Sequence, residues 1–310
     1  MTKFAFFFPG QGSQSVGMMK GFERLDVVRD TFEEASDILS QNFWSMVTEP
    51  NELLNQTIHT QPMMLTAGFA VWRAWQRESG TQPEIMAGHS LGEYTALVAS
   101  GALAFKDALP LVRYRAQAMQ EAVAEGVGSM AAILGLDSGD VHAVCEQAAL
   151  DQVLEAVNLN SPGQIVIAGH KEAVERGMQA ALDKGAKRAL LLPVSVPSHC
   201  ALMRPAAEAM QTYLQKVAMN APAIPVIHNA DVEAYDSSAK IKDALVRQLH
   251  SPVRWIETVE HIRAQGISSG AECGPGKVLA GLIKRINADF TCIALTSAEA
   301  MHEAQAQFAQ

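Results

Sequence analysis

The chain has 310 residues, 48% hydrophobic and 18% charged, with 33 acidic against 24 basic side chains and a formal net charge of −9. This balance excludes a disordered chain and a broad nucleic-acid surface, which needs a local surplus of Lys and Arg. Nothing approaches the roughly 20 apolar residues of a membrane helix, and the opening run Phe4-Ala5-Phe6-Phe7-Phe8 is too short for a signal-peptide core, so a cytoplasmic enzyme is expected.

The first third alternates strand-like and helix-like segments: a buried strand at 4–8, helices at 27–39 and 63–75, and a strand at 84–87. Strands alternating with helices imply a parallel sheet covered on both faces. From 126 to 195 the texture becomes strand (129–136), helix (138–150) and strand (155–159), then a turn at Ser161-Pro162-Gly163, strand (164–168), helix (171–184) and strand (188–193). That βαββαβ order is the ferredoxin-like pattern. Val174, Met178, Ala181 and Leu182 recur at helical spacing, and Gly185 follows as a stop signal. The expectation is an α/β domain formed by 1–125 and 196–310, with 126–195 inserted as a smaller subdomain. Strands at 224–227, 270–273 and 291–295, with helices between them, would complete the main sheet, and 297–310 would close the chain as a helix.

Gly88-His89-Ser90-Leu91-Gly92 matches Gly-x-Ser-x-Gly, follows the apolar strand and precedes a helix-compatible run at 93–99. A nucleophile elbow needs that context: flanking glycines allow close backbone approach, and the serine oxygen stands exposed at the strand end. The following helix N-terminus directs free N–H groups at a developing oxyanion. Phe8-Pro9-Gly10-Gln11-Gly12-Ser13-Gln14 lacks the spacing of a dinucleotide or phosphate loop. It can instead present the Gln11 N–H as a second oxyanion donor beside that of Leu91.

A serine nucleophile needs a base, and nine histidines are present. His199 lies where the chain returns from the inserted segment to the main sheet, but residue pattern alone does not separate it from His170, His228 or His250. His89, next to the serine, would point away from it. Cys145, Cys200, Cys273 and Cys292 are far apart and read as buried thiols rather than a zinc or disulfide framework. Cys200, beside His199, reads as an inert buried cysteine rather than a nucleophile.

Six segments together resemble the bacterial malonyl-CoA:acyl carrier protein transacylases. They are 8–14, Gln61-Pro62, Gly-His-Ser-Leu-Gly-Glu-Tyr at 88–94, Asn-Ser-Pro-Gly-Gln-x-Val-Ile-Ala-Gly at 160–169, Val-Pro-Ser-His at 196–199 and Gly-Pro-Gly-Lys-Val-Leu at 274–279. The resemblance spans nearly the whole chain in order. It implies a hydrolase-like α/β domain with an inserted ferredoxin-like subdomain, Ser90 as nucleophile and His199 as base. It also implies Gln11 and Leu91 as oxyanion donors, Arg115 as the group that binds the malonyl carboxylate, Gln248 as the residue whose carbonyl orients the histidine, and Asn160 lining the site. The implied substrates are malonyl-CoA and an acidic acyl carrier protein, with no metal or tightly bound cofactor, and a monomer is expected.

A guanidinium clamp in a dry pocket is a direct way to demand a carboxylate that an acetyl group lacks. Periodicity does not separate Arg115 from Arg113, since both flank the stripe of Leu109, Val112, Ala116, Met119 and Val123. Only the resemblance selects Arg115. Lys184, Lys187, Arg188, Lys284 and Arg285 are candidate contacts for an acidic carrier. The rival readings are a thioesterase or esterase using the same serine and histidine, and a catalytically silent carrier-binding protein.

Overall fold

The computed structural model describes residues 2–78, 81–194 and 196–309. Five strands form a wholly parallel sheet in the order β7-β2-β1-β8-β9: β1 (Ala5–Phe8), β2 (Ile85–Gly88), β7 (Val226–Ile227), β8 (Ser269–Glu272) and β9 (Thr291–Ala294). All four β1 residues are buried, as expected for a central strand covered on both sides. Side chains alternate across a strand. Accordingly Phe6 packs on Trp75 on one face, with ring centroids 4.9 Å apart, and Phe7 on Trp255 on the other, at 5.8 Å.

The second sheet is antiparallel, in the order β4-β5-β3-β6, from β3 (Gly128–Leu134), β4 (Leu154–Ser161), β5 (Gln164–His170) and β6 (Arg188–Leu191). With helices Ser138–Ala149 and Lys171–Asp183 it makes the βαββαβ arrangement, and it encloses its own apolar cluster centred on Ile133, Val141, Ile165 and Ile167. The main sheet draws strands from both sides of this segment. The two sheets are stitched together where Val253 and the β4 backbone exchange hydrogen bonds, Leu159 N to Val253 O at 3.0 Å and Val253 N to Val157 O at 2.8 Å.

Strand ends differ from expectation by no more than two residues. The last strand of the small sheet stops at Leu191 rather than 193, since Pro193 has no N–H to offer a ladder. The helix expected at 63–75 runs from Thr57 to Glu78 and carries Pro62 inside it. The expected boundary at Ser195 and the last residue of the tail, Gln310, lie outside the described residues. Among the described residues, no helix is long and apolar enough to cross a membrane.

Candidate active site

Strand β2 ends at Gly88, and helix Leu91–Ala99 begins three residues later, so Ser90 occupies the apex of the turn. Its φ of 51° and ψ of −108° lie where a residue with a Cβ is rarely found. The glycines make that turn possible. A Cβ on Gly88 would fall 1.9 Å from the Gly92 carbonyl carbon, and one on Gly92 would fall 2.0 Å from the Phe8 carbonyl oxygen. Asn229 holds the strained backbone: its Oδ1 accepts the Ser90 N–H at 2.7 Å, and its Nδ2 donates to Gly88 O at 2.7 Å.

The Ser90 hydroxyl lies 2.8 Å from His199 Nε2, and His199 Nδ1 lies 2.8 Å from the main-chain carbonyl of Gln248. A carbonyl can only accept, so Nδ1 carries the proton and Nε2 presents its lone pair to the serine. His199 is itself in the left-handed region, at φ 67°. Burial, with Arg115 adding to it, holds its pKa well below the usual range, at about 3, against the opposing effect of the Gln248 bond. The imidazole is therefore neutral near neutral pH. Two of the rival histidines are committed elsewhere: His170 Nδ1 accepts the Val153 N–H, and His228 Nδ1 pairs with Glu93.

Arg115 is only 1% exposed. Its Nη1 donates to Gln61 Oε1 at 2.9 Å, and its Nη2 reaches Gln248 Oε1 at 3.0 Å and Ser90 Oγ at 3.2 Å. Its Nε has no partner, and no carboxylate forms an ion pair with it among the described residues. Burial draws its pKa down, while Tyr94 and Glu93 act the other way. Arg113, which periodicity could not distinguish from it, turns instead to Leu39 O and Gln41 Oε1.

These groups meet in a cavity of about 140 Å³ lined by Gln11, Gln61, His89, Ser90, Leu91 and Arg115 among others. It opens at the C-terminal ends of β1 and β2, where ligand crevices of open parallel sheets form. Met130 of β3, Asn158 of β4 and the returning segment at Leu192, Val194, Val196 and His199 complete its wall. Leu91 is the first residue of its helix, so its N–H has no acceptor within the helix. Gln11 sits in the exposed loop after β1, its side chain tied to Thr57 Oγ1 at 3.3 Å.

His89 is among the residues that line the cavity, with Trp255 beside its ring at a centroid distance of 5.5 Å and Asn160 Oδ1 2.8 Å from its Nε2. One position differs from the sequence reading. Asn160 accordingly braces His89 from one layer back, and Asn158, two residues earlier on the same strand, reaches the cavity instead. Gln61, Asn229 and Glu93 were missed as site residues. The Gln61-Pro62 pair was the available signal for the first; nothing local marked Asn229.

A family model described as an acyl transferase domain matches residues 5–304. The malonyl CoA-acyl carrier protein transacylase of Salmonella typhimurium is 53% identical over 309 residues, covering 99% of this chain and all of that one. The Escherichia coli K12 protein of the same name is 54% identical over 303 residues, 97% of this chain and 98% of that one. This chain belongs to the malonyl CoA-acyl carrier protein transacylase family. Solved transacylase structures share the hydrolase-like fold with its ferredoxin-like subdomain. The Coxiella burnetii enzyme superposes with a TM-score of 0.98 at 47% identity, covering all of this chain and 98% of that one. A malonyl-transacylase solved with a type II polyketide synthase acyl carrier protein gives 0.97 at 49% identity, covering 99% and 100%.

Proposed function

We propose that this protein transfers malonyl from malonyl-CoA to the phosphopantetheine thiol of an acyl carrier protein through a malonyl-Ser90 ester, supplying fatty acid synthesis. The observation that carries this reading is the buried Arg115 guanidinium, which forms no ion pair with a carboxylate among the described residues and lies 3.2 Å from the Ser90 hydroxyl. A charge so placed is costly unless something completes it. The free carboxylate of a malonyl thioester would complete it and set the thioester carbonyl beside the serine.

His199 accepts the Ser90 proton as the hydroxyl attacks that carbonyl, with the Gln248 carbonyl keeping the imidazole in the required tautomer. The N–H groups of Gln11 and Leu91 stabilise the tetrahedral oxyanion. The intermediate collapses, the C–S bond breaks, and His199 returns the proton to the departing coenzyme A thiol. In the second half the carrier thiol gives its proton to His199 and attacks the ester, and Ser90 leaves with that proton restored. Asn160 supports the wall of the site through His89. The inserted unit, described from 126 to 194, roofs the cavity on this reading. The enzyme works in the cytoplasm as a monomer without a bound metal or cofactor.

The test is mass spectrometry of the intact protein after mixing with malonyl-CoA, followed by addition of holo carrier protein. A malonyl adduct on Ser90 that disappears as malonyl-carrier forms is expected. Release of free malonate with no carrier product would make the protein a thioesterase, and absence of any adduct in folded protein would remove Ser90 as nucleophile.

A further inference from the structure

The segment Ser90-Leu91-Gly92-Glu93 has the spacing of a helix capping box, in which the serine side chain and the glutamate cap the first turn reciprocally. Neither side chain does so here. The Ser90 hydroxyl makes no capping bond and faces His199, and Glu93, fully buried, turns inward. Its Oε1 accepts from His228 Nδ1 at 2.7 Å, and its Oε2 accepts both the Asn229 N–H and Gln248 Nε2 at 2.9 Å.

Two of those three donors hold the reacting groups. Asn229 takes the Ser90 N–H and ties Gly88 O. Gln248 supplies the carbonyl for His199, donates through Nε2 to Ser90 O at 2.9 Å, and accepts Arg115 through Oε1. An amide side chain left free could rotate and offer its N–H₂ to the guanidinium. With Nε2 bound to Glu93 and to Ser90 O, the amide has one orientation, and its oxygen must face Arg115.

From this geometry we infer that Glu93 is a positioning residue for acyl transfer, fixing Gln248 and Asn229 so that the serine turn, the histidine and the guanidinium are in register. It does at one remove what a triad acid does by direct contact with the histidine. A carboxylate suits the task because it accepts from three donors at once and supplies negative charge near a buried guanidinium. The inference rests on the reading of Ser90 and His199 as nucleophile and base.

The test compares Glu93→Ala and Glu93→Gln in single-turnover acylation of the full chain by malonyl-CoA and acetyl-CoA, with the folded fraction set by circular dichroism and thermal midpoint. Glutamine can keep every contact. Its Oε1 accepts from Asn229 and Gln248, and its N–H₂ donates to His228 after the ring moves its proton to the unpartnered Nε2. In folded Glu93→Ala, acylation by both substrates is expected to fall by about 100-fold, as for any misalignment of reacting groups. Glu93→Gln should recover to within about tenfold of the wild type, with a malonyl-CoA KM lower by about threefold because the carboxylate no longer shares Arg115 with Glu93.

A purely structural role would give losses that track the unfolded fraction and no KM change. Folded Glu93→Ala acylating at more than a third of the wild-type rate would overturn the proposal, as would Glu93→Gln as slow as alanine. If alanine does not fold, an unaltered malonyl-CoA KM in Glu93→Gln overturns it. Absence of a malonyl adduct on wild-type Ser90 would instead remove the underlying functional reading.

Discussion

Arg115 Nη2 stands 3.2 Å from Ser90 Oγ, and the guanidinium is held by two neutral glutamine amides rather than by a carboxylate. In the proposed reaction this positive charge, offset at a distance by Glu93, stands ready beside Ser90 for the carboxylate of the substrate. Arg115→Ala is therefore expected to lower kcat/KM for malonyl transfer by about 100-fold or more, the scale of a lost buried charge-assisted pair. Acetyl transfer should fall far less. Arg115→Lys should not rescue malonyl transfer, since an ammonium cannot bridge Gln61, Gln248 and a carboxylate with one planar fork. Equal losses on both substrates in steady-state assays would reduce Arg115 to a packing element.

The opposite change can be made at Gln61, whose Oε1 accepts Arg115 Nη1 at 2.9 Å. Gln61→Glu would hand the guanidinium an internal carboxylate with almost no change of shape. Malonyl-CoA KM is expected to rise by about tenfold or more, with a smaller effect on acetyl-CoA. An unchanged ratio of the two KM values would show that the substrate carboxylate binds elsewhere.

His199, with a pKa near 3 from burial and Arg115, binds a proton far more readily unfolded than folded. Its contribution is thus present above the unfolded value near 6.5 and is lost progressively as pH falls from there toward 3. His89, likewise lowered by burial, acts in the same direction. Activity should show no histidine limb near pH 6.5, and its acid loss should coincide with a falling urea midpoint. His199→Gln should flatten the dependence of that midpoint on pH below 6.5. An acid limb in kcat/KM centred near 6.5 while the urea midpoint stays constant would contradict this.

The contact between the elbow and β1 leaves no room for a methyl group. In Gly92→Ala the new Cβ would meet the Phe8 carbonyl oxygen at 2.0 Å, and neither backbone can yield without breaking the central pairing of β1 with β2. A loss of about 3 kcal/mol or more is expected from urea unfolding, beyond ordinary overpacking. A wild-type midpoint would mean that the elbow and β1 can separate.

How much of this was legible in the sequence varied with the kind of interaction. The apolar run at 4–8, the order of strand-like and helix-like segments from 129 to 193 and the helical spacing from Val174 to Leu182 exposed the two sheets, since burial imposes a local period. The elbow was legible for a similar reason: Gly88, Ser90 and Gly92 act within five residues. The histidine that meets Ser90 was not, because the Gln248 carbonyl holds His199 there while Glu93 holds His228 away, both partners being distant in sequence. Arg115 and Arg113 have equivalent places in the helical pattern, and only tertiary partners decide which one turns inward. Asn229 lies 139 residues from the N–H it accepts, and no local pattern announces such a contact. His89 is held by Trp255 and Asn160, partners that the turn itself does not announce.

The backbone bonds between Val253 and β4 bear on the order of events at the serine. They tie β4 of the inserted sheet to the segment that leads into helix Trp255–Ala264. A space of about 140 Å³ is well below the roughly 300 Å³ at which pockets begin to enclose drug-sized ligands. It accommodates an acyl group and the end of one thiol arm. In the proposed reaction donor and acceptor would use the same doorway in turn, and the ester proposed on Ser90 would store the group during the exchange.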